Sequence, residues 1–141
     1  MANTKTAQLV WTGEDWNFET TLGSGYQAQF KAPQPAATGG GPMEFLLAGV
    51  AGCTGVDVLS MLKKMRQDVT GLTVDIEGDR AEDYPMVYTD VTIVYNLTGT
   101  DIEAESVEKA IELSMTKYCS ASIIFKRAGV KVSTKYNITA A

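Results

Sequence analysis

Two cysteines are the side chains of this 141-residue chain best suited to chemistry, and the chain contains no histidine. The missing histidine removes Ser-His-Asp and Cys-His catalysis and nearly every imidazole metal site. Two cysteines are too few for a structural Cys₄ zinc site, and Cys53 and Cys119 lie too far apart for a Cys-x-x-Cys motif. We therefore expect no metal and no cofactor. Two core thiols or a transient catalytic pair remain, because a static disulfide is disfavoured in a reducing cytosol.

The local sequence around each thiol favours Cys119 as the reactive one. Cys119 directly precedes a predicted short helix that begins at Ser120, and the positive end of a helix dipole lowers a thiol pKa. Cys53 lies inside an apolar segment, where a thiol usually acts as a small core residue. Local reasoning alone thus makes Cys119 the nucleophile.

Asp57 follows Cys53 by one helical turn, inside the same apolar segment. An unpaired carboxylate there is costly. We interpret Asp57 as a cap or ion-pair member at a subunit seam, and the alternative is that it tunes the Cys53 thiol.

The apolar segment predicts a central helix from Pro42 to Arg66. Proline suits a first turn, and Glu44 near the start and Lys64 near the end match the helix dipole. Between Glu44 and Asp57 the helix carries no charged residue and is apolar on all faces, which predicts burial on every side. A helix of this length exceeds what one short chain can cover, so we expect a second copy to cover the rest. The run is too short and too rich in glycine for a membrane span.

The other elements are predicted by alternating strands, turn residues and a capping-box pattern from Thr100 to Glu103 with Thr100 as cap. Strands and helices are segregated along the chain, which is typical of an α+β fold. The order begins with three strands, Ala7 to Trp11, Trp16 to Thr20 and Tyr26 to Lys31, followed by the central helix. Two strands come next, Leu72 to Glu77 and Val87 to Leu97, and the second places Val91, Ile93, Tyr95 and Leu97 on one face. A helix after Thr100 with Val107, Ala110, Ile111 and Ser114 on one side, a helix from Ser120 to Arg127 and a last strand from Val130 to Ile138 complete the chain.

Composition fits one folded domain over residues 1–141, with 45% hydrophobic residues. The net charge of −5 argues against nucleic acid and anionic membrane surfaces as partners. The N-terminal residues lack the apolar core of a signal peptide, so we expect a cytoplasmic protein.

Two segments, Gly41 to Val58 and Lys117 to Ser122, together resemble the OsmC/Ohr family, and most of all its YhfA-like branch. The resemblance implies an intertwined homodimer in which two antiparallel sheets wrap around long central helices. It also implies active sites at the dimer interface that contain two cysteines and reduce organic hydroperoxides.

Carried over by position, the resemblance makes Cys53 the peroxide-attacking residue and Cys119 its resolving partner, which reverses the local argument. The implied cycle passes through a Cys53 sulfenic acid and a Cys53–Cys119 disulfide. An external dithiol, in the family often a lipoyl group, then restores both thiols.

The sequence departs from the family pattern at the groups that activate the thiolate. The resemblance implies an activating arginine in the N-terminal sheet and a glutamate at the start of the central helix. In this sequence Gln29 occupies the arginine position and Met43 the glutamate position, and Glu44 lies one residue after the latter. Lys31 is the nearest alternative cation in sequence. These departures leave open a second function, a non-catalytic protein that binds a small hydrophobic ligand or senses redox state at the dimer interface. A third interpretation is a structural dimer with two core thiols.

Overall fold

A computed structural model describes residues 3–141, and the chain divides into two units, Met1–Leu46 and Leu47–Ala141. The predicted α+β class is confirmed. In chain order the elements are β1 Ala7–Trp11, β2 Asn17–Leu22, β3 Gln27–Lys31, α1 Pro42–Lys64, β4 Asp68–Arg80, β5 Tyr88–Thr100, α2 Ala104–Leu113, a π-helical segment Ser114–Tyr118, α3 Ser120–Arg127 and β6 Lys131–Ala140.

The first unit is built on an antiparallel sheet in the order β1-β2-β3. The rings of Phe30 and Phe45 stack with centroids 4.4 Å apart, so the start of α1 packs on β3. The first strand carries large apolar side chains that are more than half exposed, namely Leu9, Val10 and Trp11. This unit therefore leaves much apolar surface in contact with solvent.

The second unit contains the sheet β4-β5-β6, in which β4 pairs antiparallel with β5. The final strand differs from the expected antiparallel arrangement, because β6 runs parallel to β5. A parallel neighbour requires a long crossover, and the three helical segments between β5 and β6 supply it. The second sheet is consequently mixed.

The core face of β5 follows the predicted alternation. Val91, Ile93, Tyr95 and Leu97 are each 1% exposed or less, and the residues between them are only partly buried. A period of two places such residues on one face of a strand. The buried tyrosine brings a hydroxyl into an otherwise apolar layer.

Helix α1 begins at Pro42, as predicted. The carboxylate of Glu44 accepts a hydrogen bond from the Gly41 N–H at 2.9 Å, which satisfies a donor at the helix start. The helix ends at Lys64, two residues before the predicted end at Arg66, where the backbone turns with φ of +62°. Its 23 residues span about 35 Å.

The helix buries one stripe within the chain instead of the whole circumference. That stripe is Val50, Thr54, Val58 and Leu62, spaced four residues apart. Val56, on another face, is 69% exposed. By length and composition alone α1 is also apolar enough to cross a membrane, a test that core helices of water-soluble proteins pass as well.

The predicted capping box is wrong. Thr100 is the last residue of β5 and pairs with Asp68, so α2 begins only at Ala104 with Glu103 as its N-cap. The Glu103 side chain makes no cap hydrogen bond, and the Glu103 N–H instead donates to the Gln67 side-chain oxygen at 2.8 Å. The side chain of Gln67, distant in sequence, thus accepts the backbone N–H that the capping-box pattern assigned to the Thr100 hydroxyl.

Candidate active site

The second unit brings both cysteines and one carboxylate into a single cluster. The Sγ atoms of Cys53 and Cys119 and a carboxylate oxygen of Asp57 all lie within 4.8 Å of one another. Cys53 and Asp57 share a face of α1 because they are four residues apart. Both sulfurs are free thiols. The three residues that the sequence singled out in this unit therefore meet.

Cys119 is held by the helical segments on either side of it. Its N–H donates to the Ser114 carbonyl at 2.8 Å, which closes the π-helical segment. Cys119 is also the N-cap of α3, and its Sγ accepts the Ser122 N–H at 3.4 Å. The helix predicted from Ser120 to Arg127 is confirmed. π-Helical turns occur frequently at functional sites, and this one fixes where the thiol points.

The pKa of Cys119 is raised, not lowered as the local argument expected, although the helix terminus acts in the predicted direction. Burial raises the pKa of the Cys119 thiol, the Ser122 hydrogen bonds oppose the rise, and the neighbouring Cys53 adds to it. The side chain is completely buried, so loss of hydration outweighs the helix terminus. Local reasoning weighed the dipole and missed the burial.

The two thiols differ in access. Cys53 is partly exposed, whereas Cys119 is buried. A solute that approaches the pair therefore meets Cys53 first. The two sulfurs therefore differ in how readily a solute reaches them, whatever the effect of the helix dipole.

Three buried hydroxyl groups form a hydrogen-bonded chain that ends on Asp57. Thr54 Oγ1 lies 2.7 Å from both Tyr95 Oη and Ser114 Oγ, and Ser114 Oγ donates to Asp57 Oδ2 at 3.0 Å. Each hydroxyl has one proton, and an ionised carboxylate only accepts. Because Ser114 donates its one hydroxyl proton to Asp57, Thr54 must donate to Ser114, and Tyr95 must donate to Thr54.

Within the chain, the neutral Ser114 hydroxyl donates a hydrogen bond to Asp57. The role of Asp57 as a cap or ion-pair member at a subunit seam, or in tuning the Cys53 thiol, stays a prediction. Burial raises the pKa of Tyr95 to about 12, and negative charge on Cys119 and Asp57 adds to the rise. Tyr95 thus remains a neutral donor at physiological pH.

The remaining predicted site residues belong to the first unit. Gln29 is exposed on β3 opposite Glu19 and lines a groove of about 330 Å³, and Lys31 ends the same strand. Met43 is half-buried in the first turn of α1, where Glu44 holds the Gly41 N–H. Their roles in activating or lining a site stay predictions.

Sequence reasoning missed Thr54, Tyr95, Ser114 and Ser122 as site residues. Thr54 and Ser114 had weak signals, since each is a hydroxyl residue inside a predicted apolar face. The alternation of the Val87 to Leu97 strand places Tyr95 on its apolar face, which gives no sign of a role for the hydroxyl. Nothing in the spacing along the chain pairs these residues, because they come from four different elements.

Residues 35–135 match the sequence profile of the OsmC-like protein family. The match covers well over half of the chain, and the chain belongs to the OsmC-like family. Among relatives, the chain is 36% identical over 100 residues to protein YhfA of Escherichia coli K12, which covers 71% of this chain and 74% of YhfA.

Solved structures show the same fold. A hypothetical protein from Aquifex aeolicus superposes with a TM-score of 0.87 at 26% identity and covers 99% of both chains. The organic hydroperoxide resistance protein OhrB of Bacillus subtilis superposes with a TM-score of 0.65 at 17% identity, covering 95% of this chain and 98% of OhrB. The second likeness concerns the fold alone.

Replacing Thr54 with valine tests the hydrogen-bonded chain. The substitution keeps the shape of the side chain but leaves the Tyr95 and Ser114 hydroxyls without their shared partner in a buried site. We expect the free energy of unfolding, measured by urea denaturation, to fall by about 1–3 kcal/mol.

Thr54→Ser is the matched control, because it retains the hydroxyl at this position. It should recover the hydrogen-bonding part of the loss. Equal stability of wild type and Thr54→Val would show that the chain contributes nothing to the fold.

Proposed function

We propose that this protein reduces hydroperoxides through its two thiols, with Cys53 as the attacking residue and Cys119 as the resolving one. The observation that carries the proposal is a pair of sulfurs within 4.8 Å of each other, one partly exposed and the other fully buried. Such a pair suits attack on a solute by the first thiol and closure of a disulfide by the second.

The first step is a displacement at oxygen. The Cys53 thiolate attacks the distal oxygen of the hydroperoxide, the O–O bond breaks, and the alkoxide takes up a proton and leaves as an alcohol. Cys53 becomes a sulfenic acid, so the sulfur is oxidised by two electrons and the peroxide is reduced by two.

The second step joins the sulfurs. Cys119 attacks the sulfenic sulfur, water leaves, and a disulfide forms once the sulfurs approach to about 2.05 Å. An external dithiol then reduces the disulfide by exchange and is itself oxidised. The substrate class is supported by the fold shared with the hydroperoxide resistance protein of Bacillus subtilis and by the apolar surroundings of Cys53 on α1.

A second function, redox sensing, is favoured by a different observation. Burial raises the pKa of the Cys119 thiol, which lowers the fraction of reactive thiolate and prolongs the life of the Cys53 sulfenic acid. Gln29 and Met43 stand where the peroxidases of the family are expected to carry arginine and glutamate. A slow cycle of this kind suits a sensor, or a binder of a small hydrophobic ligand, better than a high-turnover enzyme.

We also propose that the chain works as a cytoplasmic homodimer in which residues 1–141 act as one domain. The support is the apolar surface that a single chain leaves uncovered, on β1 and on the face of α1 that carries Gly52 and Val56. A Cβ built at Gly52 meets nothing within 4 Å. A second copy covering these faces accounts for an apolar helix that is buried on one stripe only. Nucleic acid and membranes are not among the proposed partners.

Oxidation of the reduced protein by cumene hydroperoxide tests the main proposal. Wild type should form an intramolecular Cys53–Cys119 disulfide while it consumes peroxide, detected by mass spectrometry of the intact protein and its peptides. Cys53→Ser should lose both the disulfide and the peroxide consumption. Cys119→Ser should stop at the sulfenic acid, which dimedone traps.

Two free thiols in wild-type protein after prolonged peroxide treatment would exclude the enzyme. If the disulfide forms but peroxide turnover stays negligible with an added dithiol, the sensing function takes its place. A Lys31→Ala variant that consumes peroxide at the wild-type rate would remove Lys31 as the activating cation.

The raised pKa of Cys119 predicts how disulfide closure depends on pH. The thiolate is the nucleophile, and below its pKa the thiolate fraction rises about tenfold per pH unit. Closure should therefore accelerate from about pH 7 to about pH 9, and the yield of dimedone adduct on Cys53 should fall over the same range. In Cys119→Ser the adduct should not show this fall. A closure rate that is flat across this range would contradict a raised pKa.

A bulky side chain at position 52 tests the homodimer. Gly52→Leu faces open space in a single chain and replaces glycine with a better helix former, so an isolated chain should become more stable by about 1 kcal/mol. If two α1 helices approach there, the dimer should dissociate at least about tenfold more readily, as measured by sedimentation velocity. Ser60→Ala, at an exposed position of the same helix, is the control. A monomeric wild type would refute the dimer.

A further inference from the structure

We propose that Cys53, Asp57 and Cys119 also form a binding site for one thiophilic divalent cation, of which Zn²⁺ is the representative, when the thiols are reduced. The ligands are the two Sγ atoms and one carboxylate oxygen, which already lie within 4.8 Å of one another. Two thiolates and a carboxylate form a donor set that zinc accepts, and the partial exposure of Cys53 leaves a fourth position for water. This inference concerns the reduced protein and does not depend on the proposed peroxide chemistry.

The observed spacing suits a bridging metal. Zinc bonds of about 2.3 Å to sulfur and about 2.0 Å to oxygen place the ligand atoms of a tetrahedral site roughly 3.5–3.8 Å apart. Ligand atoms that lie at most 4.8 Å apart need to shift by no more than about 1.3 Å to reach this spacing. Disulfide formation needs a closer approach, to about 2.05 Å. The spacing of a tetrahedral zinc site thus lies within the range that the reduced cluster already occupies.

Two of the three ligands already have the supporting hydrogen bonds that metal sites use. Ser114 Oγ donates to Asp57 Oδ2 at 3.0 Å, which fixes the carboxylate and leaves its other oxygen for the ion. The Ser122 N–H donates to Cys119 Sγ at 3.4 Å. Outer hydrogen bonds of this kind orient ligands and affect metal affinity by about 10–100-fold.

Charge also favours a cation at this position. Thiolate and carboxylate ligands are anionic, and three of them at this spacing repel one another. A divalent cation relieves the repulsion and releases the thiol protons as it binds. The sequence-based expectation of no metal depended on counting cysteines and histidines, and a mixed site contributed by α1 and the residue before α3 falls outside that count.

Metal binding and oxidation exclude each other at this site. A zinc-bound Cys53 sulfur has its electron pair engaged by the ion, and a Cys53–Cys119 disulfide has no thiolate left to bind it. The site would thus hold the thiols reduced while metal is present and release the ion on oxidation.

Cobalt(II) is the probe, because a thiolate ligand gives it a charge-transfer band in the near ultraviolet and tetrahedral coordination gives intense visible bands. The reduced, chelator-treated full chain is titrated with Co²⁺ without oxygen, and Zn²⁺ is then added in competition. We expect one Co²⁺ per chain, both sets of bands, and displacement by Zn²⁺. Zn²⁺ should also slow alkylation of Cys53 at least tenfold.

Variants at partly exposed positions limit the risk of unfolding, and far-ultraviolet circular dichroism checks it. Cys53→Ala should abolish the charge-transfer band, and Asp57→Asn should weaken Co²⁺ binding at least about tenfold. Asp68→Asn, an exposed aspartate at the start of β4, is the matched control and should bind like wild type. The proposal is overturned if wild type shows no charge-transfer band, or if Asp57→Asn binds as tightly as wild type.

The metal test and the peroxide test fail separately. A chain that binds Co²⁺ but forms no disulfide with hydroperoxide retains the metal site and loses the proposed enzyme. A chain that forms the disulfide but gives no cobalt bands retains the proposed peroxide chemistry and loses the metal site.

Discussion

The fully buried hydroxyl of Thr54 is the interaction on which the geometry of this site depends. It joins α1 to Tyr95 on β5 and to Ser114 at the start of the π-helical segment, each at 2.7 Å. Because water cannot replace a partner in this interior, rotation of α1 that broke either bond would leave a buried hydroxyl unpaired. The helix phase is therefore fixed at Thr54. Its neighbours Cys53 and Asp57 acquire their positions as a consequence.

The two thiols show how burial and local polarity compete at one position. Cys119 has a helix N-terminus and a backbone N–H directed at its sulfur, both of which favour the thiolate. Complete burial has the larger effect, and the pKa of this thiol is raised. The pair consequently divides into an accessible sulfur and a protected one. That division results from packing, since the same thiol on a solvent-exposed helix terminus would have the opposite tendency.

Periodic features of the chain could be predicted from sequence, and features that join distant elements could not. The alternation along β5 predicted which of its residues are buried, and the apolar run predicted that α1 begins at Pro42 and ends within two residues of Lys64. The helix after Cys119 was also predictable. The parallel direction of β6 and the glutamine that replaces the Thr100 cap depend on partners far along the chain.

The same limit applies to the candidate site. Cys53, Cys119 and Asp57 stood out by residue type and setting, and the second unit brings them together. Thr54, Ser114 and Tyr95 did not stand out, because a hydroxyl on a predicted apolar face gives no sign of its partner. Burial of Cys119, which sets the sign of its pKa shift, is a property of the packed crossover and not of residues 117–122.

The parallel placement of β6 has a consequence for how the protein is made on the ribosome. Cys119 lies in the crossover between β5 and β6, so the crossover that carries it is anchored at both ends only when these two strands have paired. Long-range pairing of this kind forms late, because closing the long loop between the strands first reduces the conformational entropy of the chain. Until β6 has emerged and docked beside β5, the segment that carries Cys119 is tied down at one end only. The β5–β6 pairing thus couples the placement of this thiol to one of the last steps of folding.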